Sequence, residues 1–152
     1  MTEVRFFVAG IPAPGGSKKG FAIKKGGVYT GRVAIVDAGG ERTKNWRQDV
    51  VAAAFQAMKA ADLAPFIGPI ELELFFKLQR PKSHFRSDGI SLKPGAPSHH
   101  IIRPDCGKLA RSTTDACTGI LWRDDAQIVV DHGEKAFSDR PGCWVVVREA
   151  GK

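Results

Sequence analysis

The sequence is short of several things, and each shortage removes a class of protein. No apolar run approaches the roughly 18 to 20 residues of a membrane span, so an integral helical membrane protein is not expected. The start, MTEVRFFVAG, lacks the basic, apolar and small-residue order of a secretory signal. A cytoplasmic location is the expectation. Cysteine is scarce and odd in number: Cys106, Cys117 and Cys143 share no C-x-x-C spacing, which argues against a disulfide framework and against a four-ligand zinc site. Buried thiols are the default. No internal repeat and no low-complexity tract interrupts the chain. Acids are also in deficit, 16 against 23 Lys and Arg, for a formal charge of +7. That balance in a small globular domain favours nucleic acid or an anionic membrane as partner; the alternative is that the excess only keeps the protein soluble.

What is present suffices for one folded domain spanning 1–152: 43% hydrophobic residues, with three Trp and nine Phe, can build a real core. Residues 4–8, VRFFV, read as a first strand that the Gly and Pro cluster IPAPGGSKKG ends. FAIKK and GVYTGRVAIVD then read as two strands around Gly26 and Gly27. This basic hairpin, 17–36, carries Lys18, Lys19, Lys24, Lys25 and Arg32, and either lies along a phosphate backbone or is a solvated flap. From Thr43, placed as a cap, to Ala61 the period changes: Trp46, Val50, Val51, Ala54, Phe55 and Met58 mark an amphipathic helix packed on a sheet. IELELFFKL alternates like a half-buried strand, with Glu71 and Glu73 on its polar face either solvated or available to a metal.

Residues 79–104 form a long loop rich in proline, glycine and histidine, of the length that is functional or disordered in compact domains. Arg80, Lys82, His84, Arg86 and Lys93, with Phe85 among them, suit a flexible arm on nucleic acid. His99 and His100 are adjacent, and adjacent residues of an extended chain rarely aim at one ion. Zinc is not expected. An HNH-like metal nuclease using His84, His99, His100 and His132 is a weaker competing reading. AQIVVDHGEKAF and GCWVVVREA, separated by the turn-forming SDRPG, read as a terminal hairpin.

The chemistry concentrates in residues 103–130. A helix beginning at Asp105, just after Pro104, and running to about Cys117 puts Lys108, Arg111, Ser112 and Asp115 on a polar side. Leu109, Thr113, Ala116 and Cys117 fall on the buried side. Asp105 then sits where backbone N–H groups and the helix dipole favour an anion. After Gly119 the chain turns through Ile120, Leu121 and Trp122 to Asp124 and Asp125. If it returns beside the helix, carboxylates from two places meet in one small site. A few hard oxygen ligands with open positions are what Mg²⁺ prefers, with Mn²⁺ as an alternative, and Mg²⁺ can activate water against a phosphodiester. Lys108 or Arg111 would neutralise the scissile phosphate. The plain alternative is that Asp105 is only an N-cap and Asp124-Asp125 only a polar turn.

This stretch resembles the RusA family of Holliday junction resolvases. The family core reads roughly P-D-x-D-N/K-L, then a basic residue and D-A-L, then a turn ending in D-D-x-Q and a following strand. Here that becomes Pro104-Asp105-Cys106-Gly107-Lys108-Leu109, Arg111, Asp115-Ala116-Cys117 and Asp124-Asp125-Ala126-Gln127. The resemblance extends more weakly to Ser17 and Lys18, the Trp46 helix and Pro81 to His84. Lys108 in place of Asn looks like phage or actinobacterial members. What the resemblance implies is an α/β (α+β) single domain, a mixed β-sheet packed with two main helices, forming a homodimer. Its partner would be branched DNA, a four-way junction nicked symmetrically with Mg²⁺. By position Asp105 and Asp125 would be metal-binding carboxylates, with Asp124 a catalytic neighbour. Asp115 would hold the helix rather than the metal. Arg111 stands where the family has a catalytic lysine, and an arginine holds phosphate but delivers no proton near neutral pH. Lys18, Lys19, Lys24, Lys25, Lys82, Arg86, Lys108 and Arg111 would contact DNA. Gly107 stands where the family has its second aspartate, which predicts weakened Mg²⁺ affinity and slower or absent cleavage with junction binding retained. A non-catalytic junction-binding module of the same fold is the alternative.

Overall fold

The computed structural model describes residues 1–16, 18–37 and 40–151, with side chains at 1–16, 22–34 and 40–151. Ser17 and the side chains of Lys18 and Lys19 lie outside the described residues. In chain order the elements are β1 (Glu3–Ala9), β2 (Lys18–Lys25), β3 (Val28–Asp37), α1 (Gly40–Ala61), β4 (Ile70–Leu78), α2 (Cys106–Cys117), β5 (Ile128–Phe137) and β6 (Gly142–Glu149). Single 3₁₀ turns cover Lys82–His84 and Asp125–Gln127. The main sheet has the order β1-β6-β4-β5; β5 runs parallel to β4 and the other pairs are antiparallel. It is the mixed sheet with two main helices that the resemblance implied.

β4 is central because its alternation is the cleanest. Ile70, Leu72, Leu74, Phe76 and Leu78 are all buried toward the helices, and Glu71, Glu73, Phe75 and Lys77 point the other way. This corrects the terminal hairpin expected from SDRPG: β5 and β6 flank β4 on opposite sides and do not pair with each other. The short connection passes the end of β4, where the Ser138 amide donates to the Leu78 carbonyl at 2.9 Å. On the polar side, Arg148 donates to Glu73 at 2.8 Å and to Glu71 at 3.4 Å. The guanidinium holds the Glu73 carboxyl below its usual range, chiefly through that hydrogen bond. The two glutamates, expected to be solvated or else available to a metal, are thus committed to one arginine.

Helix α1 begins earlier than the Thr43 cap expected for it. Thr43 is buried within the helix, and its hydroxyl donates to the Pro14 carbonyl at 2.7 Å. Trp46, Val50, Ala54 and Met58 form the buried stripe, while Val51 and Phe55, at 40% and 65% exposure, stand outside it. A stripe at i, i+4 is as much of the helix as the sheet can cover. Helix α2 packs beside α1 and over β5: a side chain at Gly133 would meet Cys106 Sγ at 3.5 Å, so the helix lies close on the strand.

The β2–β3 hairpin turns at Gly26 and Gly27, both at positive φ as a two-residue hairpin turn requires. It forms a two-stranded sheet of its own. The segment 79–104 is less free than the flexible arm expected of it. Phe85 bridges to Leu92, the Lys93 amide donates to the His84 carbonyl at 2.9 Å, and the Asp88 carboxylate accepts from Ile90, Ser91 and the Ser91 hydroxyl. Cys117 and Cys143 are buried and Cys106 is half-buried, all three unpaired; burial pushes the Cys117 thiol up to about 12. Among the described residues no helix is long and apolar enough to cross a membrane.

Candidate functional site

Helix α2 carries the site, and three ties position it. The Trp46 indole donates to Thr113 at 3.0 Å inside the core. Arg47 pairs with Asp115 at 3.1 Å on the surface, so Asp115 joins the two helices. The third tie is the segment 10–16, which the sequence presented only as a strand breaker. Its Gly15 amide donates to the Lys108 carbonyl at 2.9 Å, and Ser112 donates to the Ala13 carbonyl at 2.5 Å. Ser112 is therefore buried rather than on the polar side expected for it. A side chain at Gly15 would meet Ser112 at 2.8 Å, and one at Gly16, where φ is +79°, would run into Arg111. Only glycine lets this strap lie so close to the helix.

At the N-terminus of α2, Asp105 has the extended backbone of an N-cap, and its carbonyl accepts from the Leu109 amide at 3.0 Å. Its carboxylate makes no capping bond. The exposed group faces a cleft of about 610 Å³ whose lining includes Arg42, Arg103 and Lys108. Lys135, on the helix-facing side of β5, donates to the Ile102 and Pro104 carbonyls at 2.8 and 2.9 Å and fixes the approach to Asp105. Sequence reasoning missed Lys135; its odd-numbered place in β5, in step with Gly133, was the available signal.

At the other end of α2, Asp125 Oδ1 accepts from the Trp122 indole at 2.8 Å and from the Thr118 hydroxyl at 2.5 Å. Asp124 has different work. Its carboxylate accepts from the Ala126 amide and caps the 3₁₀ turn, while Gln127 accepts from the amides of Arg123 and Asp124. The Gln127 amide also donates to the carbonyls of Phe66 and Gly68, both at 2.9 Å, tying the turn to the approach of β4. Asp124 thus shapes the turn that presents Asp125. The D-x-x-Q spacing is a capping-box signature, legible in the sequence.

The two key acids do not meet within one chain. Thirteen residues separate Asp105 from Thr118, which at about 1.5 Å per residue is about 20 Å along the helix, and the Asp125 carboxylate is bonded to Thr118. No group of three or more acids, histidines and cysteines able to hold an ion occurs among the described residues. One chain by itself does not fit a divalent ion shared by both carboxylates. Gly107 is exposed, and a side chain there would meet nothing within 4 Å. Arg111, one turn further on, is exposed against Gly16. The four histidines of the HNH-like reading do not gather as one set: His84 lies edge-on and His100 tilted against Phe137, His99 meets the Ser98 hydroxyl, and His132 lies tilted against Phe75 on the opposite side of the sheet and pairs with Glu134.

Basic residues border a second cleft. Arg80 lies 4.2 Å over the Phe137 ring, and Lys82 and Arg86 line the opening. Lys24 and Lys25 are exposed on the hairpin, with Lys24 over the Tyr29 ring at 4.6 Å.

The fold thus sets an acid-bearing helix over the parallel edge of a mixed sheet, with basic residues lining the clefts around it. The family model described as "Endodeoxyribonuclease RusA" matches residues 23–148. The chain belongs to the RusA family of Holliday junction endodeoxyribonucleases. It is also similar to the uncharacterized protein YqaN of Bacillus subtilis (strain 168), 24% identical over 98% of each chain.

Proposed function

We propose that this protein is a homodimeric, divalent-metal-dependent endodeoxyribonuclease that binds four-way DNA junctions and nicks paired strands. Mg²⁺, with Mn²⁺ as substitute, would be held by Asp105 and Asp125. The observation that carries the reading is the uncapped Asp105 carboxylate at the head of α2, facing a cation-lined cleft in a chain of this family. Arg111 would hold the scissile phosphate bidentately. Lys24, Lys25, Lys82 and Arg86 would grip the duplex arms, as would Lys18 and Lys19 from the hairpin, and Lys108 would contact DNA at the cleft beside Asp105.

The separation of Asp105 from Asp125 supports the homodimer. β5 is an edge strand with exposed Val129 and Val130, and an exposed edge is a template for pairing. Asp125 lies at its start; Lys135, near its end, is bonded to the carbonyl preceding Asp105. Two copies joined antiparallel along this edge would bring Asp125 of one toward Asp105 of the other, at two symmetric places. What Mg²⁺ supplies when bound is Lewis-acid activation of the phosphodiester.

The test is binding and cleavage on a labelled junction and on linear duplex. Asp105→Asn and Asp125→Asn should each lower cleavage by at least about 100-fold while retaining junction binding. Equal affinity for linear duplex and junction would sink the reading. Gly107 favours a second reading, a junction-binding module that lost its chemistry; Gly107→Asp run beside the native protein separates the two.

A further inference from the structure

The cleft beside Asp105 is larger and more apolar than a phosphate needs. Its volume of about 610 Å³ falls within the roughly 300 to 1,000 Å³ of sites that enclose small molecules. Ile11, Leu78 and Ile102 supply its apolar wall. Ile11 and Ile102 are 73% and 49% exposed, so that wall stands in water in the free protein. Deeper in, His100 lines the same cleft and is only 7% exposed. Its Nδ1 is buried with no hydrogen-bond partner among the described residues, although buried ring nitrogens are ordinarily satisfied. The ring is held against Phe137, with centroids 5.0 Å apart. At the mouth, three cations, Arg42, Arg103 and Lys108, stand against the single carboxylate of Asp105.

An apolar wall, an imidazole at the back and a cationic mouth match the three parts of one ligand: the faces of a nucleobase, its hydrogen-bonding edge and its phosphate. A nucleotide inside a stacked duplex cannot reach such a cleft. One at a branch point, where stacking is already broken, can be swung out at lower cost. We infer that this cleft receives a single nucleotide extruded from the branch point of a DNA junction, its base against Ile11 and Ile102, its edge toward the His100 imidazole and its phosphate on Arg42, Arg103 and Lys108. The inference rests on the branched-DNA reading above and deepens it: His100 becomes a base-reading residue. The strand beside Asp105 is then chosen by which base fits.

The experiment uses a four-way junction with 2-aminopurine placed in turn at each position within two nucleotides of the branch point, bound by the intact protein in EDTA. With the native protein at saturation, fluorescence should rise about threefold or more at one position, as an extruded base loses its stacking partners. His100→Leu, which keeps the packing on Phe137 but removes the ring nitrogens, should abolish most of that rise. Because a buried substitution can disturb folding, Ile11→Ala with Ile102→Ala, both exposed, serves as the second variant. It should at least halve the rise and weaken the junction about fivefold, so each variant is read at its own saturating concentration. A flat signal at every position while the junction is bound overturns the pocket alone, as does a rise that neither variant alters. A change of oligomeric state in the double variant together with a flat native signal assigns the cleft to a second copy and overturns the inference. Absence of junction binding in a gel shift overturns both this and the functional reading.

Discussion

Replacing Gly107 by aspartate is the sharpest perturbation available, because the structure separates what it does to the fold from what it does to the site. The position is the second residue of α2, exposed, with nothing within 4 Å of an added Cβ. Strain is therefore not at issue. Exchanging glycine for an ordinary residue in a helix gains about 0.3 kcal/mol, and a carboxylate in the first turn gains about 0.3 to 1 kcal/mol from the helix dipole. The fold should be steadier by about 1 kcal/mol, a rise in Tm of about 2 to 4 °C for a chain of this size. The effect on the site should be larger. The new carboxylate would stand one turn before Arg111 and beside Asp105, supplying an oxygen where one chain has only Asp105. Loss of even an outer partner of a metal ligand costs 10- to 100-fold in affinity or activity, so the gain in Mn²⁺ affinity and in junction cleavage should be at least about tenfold. Titration calorimetry with Mn²⁺ and a labelled-junction cleavage assay read the two quantities directly. A protein that is more heat-stable yet unchanged in metal affinity and cleavage would refute the reasoning, since it would have the carboxylate without any site for it to join.

Further expectations concern the supports of the site. Gln127→Ala removes four hydrogen bonds and should cost about 1 to 2 kcal/mol in urea unfolding, with cleavage falling because Asp125 loses its platform. Trp122→Phe removes one of the two donors to Asp125; a loss of about 1 kcal/mol is expected, accompanied by weaker Mn²⁺ binding. Lys82→Ala with Arg86→Ala should lower the slope of log junction affinity against log salt by about 2 if each cation meets one phosphate; an unchanged slope would remove these residues from the interface. Burial holds the His100 imidazole below its ordinary value, so the unfolded chain takes up a proton there first as pH falls. Stability should thus decline as pH drops below about 6.5, and thermal melts from pH 7 to 5 should show a smaller decline in His100→Leu than in the native protein.

Local signals announced the elements, and distant partners decided what the elements did. α2 was bounded correctly because Asp105 after Pro104 and Gly119, at φ +88°, mark its ends by their own chemistry. Ser112 was misplaced on that helix because its acceptor, the Ala13 carbonyl, is 99 residues away. Thr43 reads as a cap for the same reason: the Pro14 carbonyl that claims its hydroxyl is 29 residues away. The β5–β6 hairpin failed because a turn sequence shows that the chain reverses without showing what lies between the two strands, and β4 lies there. The strap from Gly10 to Gly16 was invisible as a contact surface, since glycine and proline look alike whether they end a strand or let a backbone approach a helix.

The contrast between Asp105 and Asp124 is where sequence and site come together. Both precede a helical turn with extended backbone, and both have the residue type that caps best. Asp124 spends its carboxylate on the cap and is reinforced by Gln127. Asp105 makes no capping bond and has no hydrogen-bond partner for its carboxylate among the described residues, and so forgoes about 1 kcal/mol of capping stabilisation, in a chain whose +7 charge would satisfy a carboxylate readily. The same contrast explains why the acids could not be ranked from their spacing alone: two aspartates of equal capping aptitude differ only in whether a glutamine three residues on completes the box. Position 107, on the first turn of the same helix, carries no carboxylate at all, so under the proposed function the capacity to hold an ion would fall on Asp105 and on what a second copy brings to it.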